Sequence, residues 1–350
     1  MTKAVTLADI AKLAGVHVST VSRALNPRDT HGVNSGQAAR IRDISEKLGY
    51  VQNAAASTLR TKRSGVVGVI VPDLTDPIFP PIIRGIEDFL GRHDYFAILG
   101  NTDGDPDREE TLVKQLKARG VDGFILCSIQ RVSLIAADLI ADGMPVVTVA
   151  RKLDSGTASS VCHDEHDGIA RAVTHMASLG HREIAYISGP LSVSTGHIRL
   201  NAFGQQRGEL GLPEDAERIV VARSYTVEEG ERCLEELLAR DSSFTAVVCA
   251  NDCLAIGAIA ALQRRGIAVP GDVSVTGFND MQFVERMNPP LTTVRVHKHE
   301  EGYRAAELVL EMIDTPPADR TATHTLLPVE FIVRASTKPH TVAAARLTPA

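Results

Sequence analysis

Catalysis needs ionisable or nucleophilic side chains at a spacing that brings them together, and this sequence offers few such sets. The densest is His163-Asp164-Glu165-His166-Asp167. Its residue types suit a metal ion, but neighbours on a strand point to opposite faces and the spacing matches no metalloenzyme motif, so it reads as a solvated strand end. Cys249 and Cys253 stand four apart, as a helical metal pair would, without obvious third and fourth ligands. With Cys127, Cys162 and Cys233 they are scattered through apolar segments, and reduced, buried thiols are expected. No G-x-S-x-G marks an acyl-transfer nucleophile, and no G-x-G-x-x-G follows the first strand, which disfavours a dinucleotide enzyme. No cofactor and no catalytic activity are expected. What remains is recognition chemistry: Ser19, Thr20, Ser22 and Arg23 place short hydroxyls beside a guanidinium, a set that a helix pressed into the major groove of DNA can use.

The elements that must position this set can be read from period and caps. Thr6-Leu7-Ala8-Asp9 has capping-box form, so a helix begins there and should carry Leu7, Ile10, Ala11 and Leu13 inward. Gly15 permits a tight turn, and a second helix runs from about Val18 to Leu25 with Val21, Ala24 and Leu25 apolar. A third, roughly Gln37 to Leu48, turns Ala38, Ile41, Ile44 and Leu48 to one side and exposes Arg40, Arg42 and Lys47. Periodicity alone fits a helix-turn-helix and fits equally a generic three-helix domain.

Charge separates those readings. Met1 to Arg63 holds ten Lys or Arg against four acids, a net of +6 in a chain whose total is −6, so the remainder carries −12. A basic head on an acidic body suits phosphate binding through one end, because Lys and Arg displace condensed counterions. The 350 residues allow two or three compact units, and a hydrophobic content of 44% with 23% charged residues fits a globular protein. No apolar run reaches membrane-spanning length and no secretory-signal layout opens the chain, so a cytoplasmic location without membrane attachment is expected.

From Val66 the texture changes to strand-length apolar runs alternating with helical segments: VVGVIVPD, a helix from about Pro81 to His93, YFAILGNTD, a helix from Arg108 to Arg119, and VDGFILCS. A second set follows from Pro145, including VVTVA, SSVCHD, REIAYISGP, TAVVCAND and DVSVTGFND. This βαβα order predicts mostly parallel sheets covered by helices, with ligands gathering beyond the carboxyl ends of the strands. Two such lobes with a cleft between them describe a binding protein.

The run TLADIAKLAGVHVSTVSRALN, Thr6 to Asn26, resembles the headpiece of the lactose-repressor/galactose-repressor family nearly residue for residue, and LGY (Leu48 to Tyr50) with NAAASTL (Asn53 to Leu59) resembles its hinge. The resemblance continues through VPDLTDPIF, VDGFIL, LGHREIAYISGP, AND, VPGDVSVTGFND and PPLTTVR, covering the chain to Arg334. It implies an N-terminal all-α helix-turn-helix domain plus an α/β, periplasmic-binding-protein-like sensor domain of two lobes with parallel sheets. The boundaries it implies are a headpiece over 1–50, a hinge helix and linker over 51–65, the sensor over 66–337 and a tail over 338–350. Within the sensor the first lobe takes about 66–160 and 297–325, and the second about 161–296 and 326–337.

By the same resemblance Val18, Ser19 and Arg23 hold base-reading positions, with Thr6, His17, Thr20, Ser22 and Asn26 completing the headpiece contacts. A guanine held bidentately by Arg23 would be worth about 1 to 3 kcal/mol of discrimination. Asn53 caps a hinge too short to be stable alone, which should form a helix when two copies meet over the operator centre, Ala56 within it and Leu59 wedged into the minor groove. An Ala-rich linker is the alternative on composition alone. His17 stands where Ser usually caps the recognition helix, Gln52 replaces a frequent Pro, and the loop Pro27 to Val33 is longer than is common.

In the sensor the resemblance implies an effector cleft with Phe79 as an apolar wall, Arg199, Tyr225 as a stacking platform, Asn251 and Asn279 as hydrogen-bonding groups, and Asp164 beside them. On residue type alone, Phe79 fits a core and Arg199 a surface charge. Asp76 stands where family members commonly carry Asn, and Asn279 where many carry Asp. A carboxylate at the second position repels an anion, so its replacement by Asn points to a carboxylate-bearing sugar acid or hydroxy acid gripped by Arg199. The expected partners are pseudo-palindromic operator DNA, a small-molecule effector and a second copy in a homodimer; the tail has no leucine heptads for a tetramer. A transporter's solute-binding protein would need a signal peptide and no basic head, and an α/β enzyme a catalytic constellation; the sequence offers neither.

Overall fold

The computed structural model describes residues 5–25, 33–50, 63–240 and 243–340. The chain divides into two compact units, Met1–Ser64 and Gly65–Ala350. Among the described residues no helix is long and apolar enough to cross a membrane.

In the first unit α1 (Leu7–Ala14) starts at the capping box of Thr6 and Asp9 and stops at Gly15, whose φ of 68° is the left-handed turn that a side chain would resist. Helices α2 (Val18–Ala24) and α3 (Ser35–Lys47) follow, capped by His17 and Asn34. Ile10, Ala11, Ala14, Val21, Ala24, Ala38 and Ile41 form the core. Leu13, expected inside, is 57% exposed. At 3.6 residues per turn it sits about 110° round from the centre of the stripe made by Leu7, Ile10, Ala11 and Ala14, and Ala14 takes the inward place.

In the second unit β1 (Val66–Val71), β2 (Phe96–Asn101), β3 (Gly123–Leu126), β4 (Val146–Val149), β5 (Ser159–His163) and β11 (His324–Leu327) form one sheet, ordered β2-β1-β3-β4-β5-β11 and parallel at every pairing. Helices α4 (Phe79–Leu90), α5 (Pro106–Ala118), α6 (Leu134–Ala141) and, from late in the chain, α11 (Lys298–Asp314) belong to this lobe. Helix α4 begins two residues before Pro81, because a first-turn proline gives up no intrahelical bond, and a 3-10 turn over Gly91–His93 ends it. The central strands are buried on both faces, as a covered parallel sheet requires. The two edge strands are the exceptions: β2 exposes Phe96, Ile98 and Leu99, and β11 exposes His324 and Leu326.

The second lobe holds β6 (Ile184–Ser188), β7 (Ile219–Val221), β8 (Ala246–Cys249) and β9 (Ser274–Thr276) in the parallel order β7-β6-β8-β9, with helices α7 (Glu165–Ser178), α8 (Ser194–Glu209), α9 (Val227–Ala239) and α10 (Asp252–Arg264). An antiparallel pair, β10 (Thr293–Arg295) and β12 (Glu330–Ile332), completes it. The chain passes between lobes at His163–Glu165, Arg295–Lys298 and Leu327–Glu330. Strands β5 and β11 thus extend the first lobe to His163 and Leu327, a few residues past the expected limits near 160 and 325. The second lobe extends beyond 337, where the His340 amide donates to Leu179 and the Lys338 carbonyl accepts from His181. All five cysteines are buried and unpaired, and burial raises the Cys253 thiol to about 12 and Cys233 to about 11.

Each lobe contains a helix crossing too close for a side chain. A Cβ at Gly85 of α4 would fall on the His299 carbonyl oxygen, and one at Gly302 of α11 on that of Ile82. In the second lobe Gly230 of α9 and Gly257 of α10 face the Leu254 and Val227 carbonyl oxygens in the same way.

Candidate functional site

Helix α2 presents His17, Val18 and Ser19 to solvent, with Thr20, Ser22 and Arg23 partly exposed. Val18 is 39% exposed, an apolar side chain left outward on a helix whose core face is already filled by Val21 and Ala24. The His17 ring caps the helix: Nδ1 accepts from the Ser19 amide at 3.3 Å and pairs with its hydroxyl at 2.8 Å, which places the ring proton on Nε2. Arg23 lies back along the helix, Nε donating to the Ser19 carbonyl at 3.3 Å. Thr6 spends its hydroxyl on Asp9 at 2.7 Å. Asn26, Asn53, Ala56 and Leu59 lie outside the described residues.

In the sensor, the ends of strands from both lobes converge on one cleft lined by Asp76, Phe79, Arg151, His163, Glu165, Thr195, Arg199, Tyr225, Asn251, Asn279, Val296 and Glu301, among others. Five of the six effector residues expected from sequence are therefore brought together. About 40 Å³ is open inside the cleft, and it adjoins a second cavity of about 200 Å³ that shares Ala150, His163, Glu165 and Thr195 with it. Phe79 starts α4 at the wall of the cleft. The Tyr225 hydroxyl pairs with Thr195 Oγ1 at 3.0 Å, and Asn251 caps α10 by accepting the Leu254 amide at 2.8 Å. Asn279 has a φ of 110°, a left-handed backbone unusual for a residue with a side chain, and its buried Oδ1 finds no hydrogen-bond partner.

Asp164, the sixth, is a helix cap: its Oδ1 accepts the Asp167 amide at 2.9 Å, and it lines a neighbouring cavity with His166 and Leu326 instead. One residue on, Glu165 turns into the cleft. The segment 163–167 is not a uniformly solvated strand end, since His163 is 3% and Glu165 6% exposed. Strand alternation ends at His163 and helical geometry begins at Glu165, so the two share a side that strand periodicity keeps apart.

Arg199 does not stand free to grip an anion. Its Nε donates to Glu165 and its Nη1 to the Ala250 carbonyl, while the Phe278 ring lies 3.8 Å from the guanidinium carbon. Burial works against its charge, but Glu165 and Tyr225 outweigh that and hold its pKa above the ordinary value. A second buried pair joins His163 Nδ1 to Glu301 Oε1 at 3.3 Å, with the His297 amide donating to His163 Nε2 at 2.9 Å. Burial disfavours the imidazolium, yet the Glu301 and Glu165 charges prevail and raise its pKa. Glu301 Oε1 also accepts the Ala150 amide at 3.2 Å, while its buried Oε2 has no partner. Arg151 donates from Nη1 to the Ser128 carbonyl at 2.9 Å and forms no ion pair among the described residues. Desolvation lowers its pKa, and burial raises that of Asp76 across the cleft.

His163, Glu165, Arg151 and Glu301 were missed from sequence because no spacing rule links them; 136 residues or more separate Glu301 from the rest. The one signal in the sequence was the register of Glu301, four and eight residues before Ala305 and Val309 on the apolar stripe of its helix.

Two family models match: "Bacterial regulatory proteins, lacI family" over residues 6–53 and "Periplasmic binding protein-like domain" over 173–337. The regulator MalR of Streptomyces coelicolor is 36% identical over 344 residues, covering 95% of this chain and 96% of that protein. Among solved structures, a lac repressor dimer bound to operator and an anti-inducer matches with a TM-score of 0.84 at 25% identity, covering 96% of this chain and all of that one. A complex of the regulator CelR with cellobiose matches at 0.73 and 27% identity, covering 95% and 99%.

Proposed function

The chain belongs to the lacI family of bacterial regulatory proteins, and from that premise we propose how its parts divide the work of effector-controlled repression. It is a helix-turn-helix transcriptional regulator that binds DNA and whose operator affinity a small molecule controls. The reading assigns no reaction to the cleft. Headpiece 1–50, hinge 51–65, the two-lobed sensor from 66 to about 340 and the tail after it are its working parts.

In the proposed complex Val18, Ser19 and Arg23 read base edges, His17 Nε2 donates to a phosphate, and Thr6, Thr20, Ser22 and Asn26 fix the register. Asn53 and Ala56 belong to a hinge helix that forms on the operator, and Leu59 wedges into the minor groove. Two copies pair so that each headpiece takes one half-site, and the exposed Phe96, Ile98 and Leu99 of β2 supply the apolar seam. The lac repressor relative is a dimer on operator, and that likeness supports the same assembly here. The effector is a sugar or a sugar-derived acid; the cellobiose complex of CelR supports the broader class.

The observation that carries this reading is the convergence of Phe79, Arg199, Tyr225, Asn251 and Asn279 from both lobes on one cleft. Effector and operator then favour different lobe separations, with a typical coupling of about 1 to 3 kcal/mol. An anisotropy titration on a palindrome selected from random DNA, at two salt concentrations and with Leu59→Ala, tests it. Sequence-specific, salt-sensitive binding weakened by Leu59→Ala is expected. Selection of no sequence, with or without pooled sugars and sugar acids, would sink it.

A further inference from the structure

Among the described residues, two buried side-chain oxygens without a hydrogen-bond partner, Glu301 Oε2 and Asn279 Oδ1, belong to residues lining the effector cleft. An orphaned buried acceptor is costly, more so on a carboxylate, and is tolerated where a ligand's donor completes it. Both residues are fixed by other bonds. Glu301 holds the Ala150 amide and His163 with its other oxygen, and Asn279 is anchored through its own amide to the Val294 carbonyl at 2.8 Å. They are acceptors set in place for hydroxyl donors.

The cleft also contains a cation without a counter-charge in contact. Of its two guanidinium groups, Arg199 is paired with Glu165. Arg151 spends only Nη1, on the Ser128 carbonyl, and Asp76 and Glu109 act on it from beyond ion-pair distance. Its Nε and Nη2 edge is the fork that takes a carboxylate bidentately. The preceding residue, Ala150, has a φ of 60°, a conformation costly for a residue with a Cβ, and the bonds from its amide to the Val161 carbonyl and Glu301 hold it there. Strain of this kind persists where surrounding bonds fix a side chain's direction, here that of Arg151. With Asp76 lining the same cleft, a single open guanidinium suits a monoanion better than a phosphate dianion.

We propose that the cleft is built for a polyhydroxylated monocarboxylate whose carboxylate lies on the open edge of Arg151 and whose hydroxyls donate to Glu301 Oε2 and Asn279 Oδ1. This rests on the regulatory reading above and names its effector class, moving the anion from Arg199 to Arg151.

Calorimetric titration of the full chain with gluconate, glucuronate and galacturonate, the neutral sugars glucose and galactose, and glucose 6-phosphate tests it. An acid is expected to bind at least about tenfold more tightly than its neutral parent, a preference that collapses in Arg151→Gln and partly survives in Arg151→Lys. Circular dichroism of both variants checks that they fold. Neutral sugars that match or exceed the acids, a preference unchanged in Arg151→Gln, stronger binding of the phosphate, or no acid bound at about 10 mM would each overturn the assignment. A neutral sugar that shifts operator affinity would do so while leaving the regulatory reading intact; an acid that binds through Arg151 without shifting operator affinity would do the reverse.

Discussion

Asp252, the first residue of α10, is wholly buried, and burial raises its pKa to about 7 against the pull of hydrogen bonds from the Thr293 hydroxyl at 2.5 Å and the Met281 amide at 2.7 Å. The unfolded chain releases this proton near pH 4, at roughly the ordinary value for an aspartate in water. The folded protein therefore binds the extra proton between about pH 4 and pH 7, and its stability falls as pH rises across that window. Asp252→Asn can keep both bonds, the Thr293 hydroxyl turning to accept from the new amide. Urea denaturation at about pH 5 and pH 7 should show wild type losing on the order of a few kcal/mol that the variant keeps; parallel losses would show that Asp252 is ionised throughout. At this scale the sequence was legible where residue type and a matched motif coincide. Phe79, Tyr225, Asn251 and Asn279 reached the cleft as expected. Arg199 reached it too, but its ion pair depends on Glu165, whose direction is decided by the change from strand to helix just before it. No local pattern in the sequence carries the pairing of His163 with Glu301 across 138 positions.

At the scale of elements, caps and alternation made the order of strands and helices legible, while close crossings were not. Nothing around Gly85 or Gly302 in the sequence marks two helices whose backbones touch, because the contact joins segments far apart in the chain. Gly85→Ala forces α4 from α11 and should cost about 1 to 3 kcal/mol or more in chemical denaturation, despite Ala's better helix propensity. An unchanged midpoint would mean that the crossing yields. Asn251 separates cap from cleft in a second test. Asn251→Ala removes the acceptor for the Leu254 amide and should cost about 1 kcal/mol, whereas Asn251→Asp keeps the cap acceptor but buries a carboxyl group beside Asp252, a cost that grows as pH rises. If the effector is an acid, Asn251→Asp should also weaken its binding in the calorimeter, because it adds a negative charge to the lining.

For the whole molecule, the exposed apolar residues of β2 are the proposed dimer seam. Phe96, 73% exposed, should be nearly neutral for the fold of one copy, yet Phe96→Asp should shift sedimentation velocity from dimer to monomer and weaken binding to a two-half-site operator far more than to a single half-site. A dimer that survives the change would place the seam elsewhere. The three passages between lobes have a consequence during synthesis. The headpiece core is complete once Tyr50 has emerged, but the first sheet waits for α11 and β11, which follow all of the second lobe except β12 and the residues after it. At ordinary elongation rates that leaves the β5 edge without its neighbour for roughly 10 to 30 seconds on the ribosome. A message cut short before residue 327 would therefore release a headpiece with a finished core, tethered to a sensor that can never complete its first sheet.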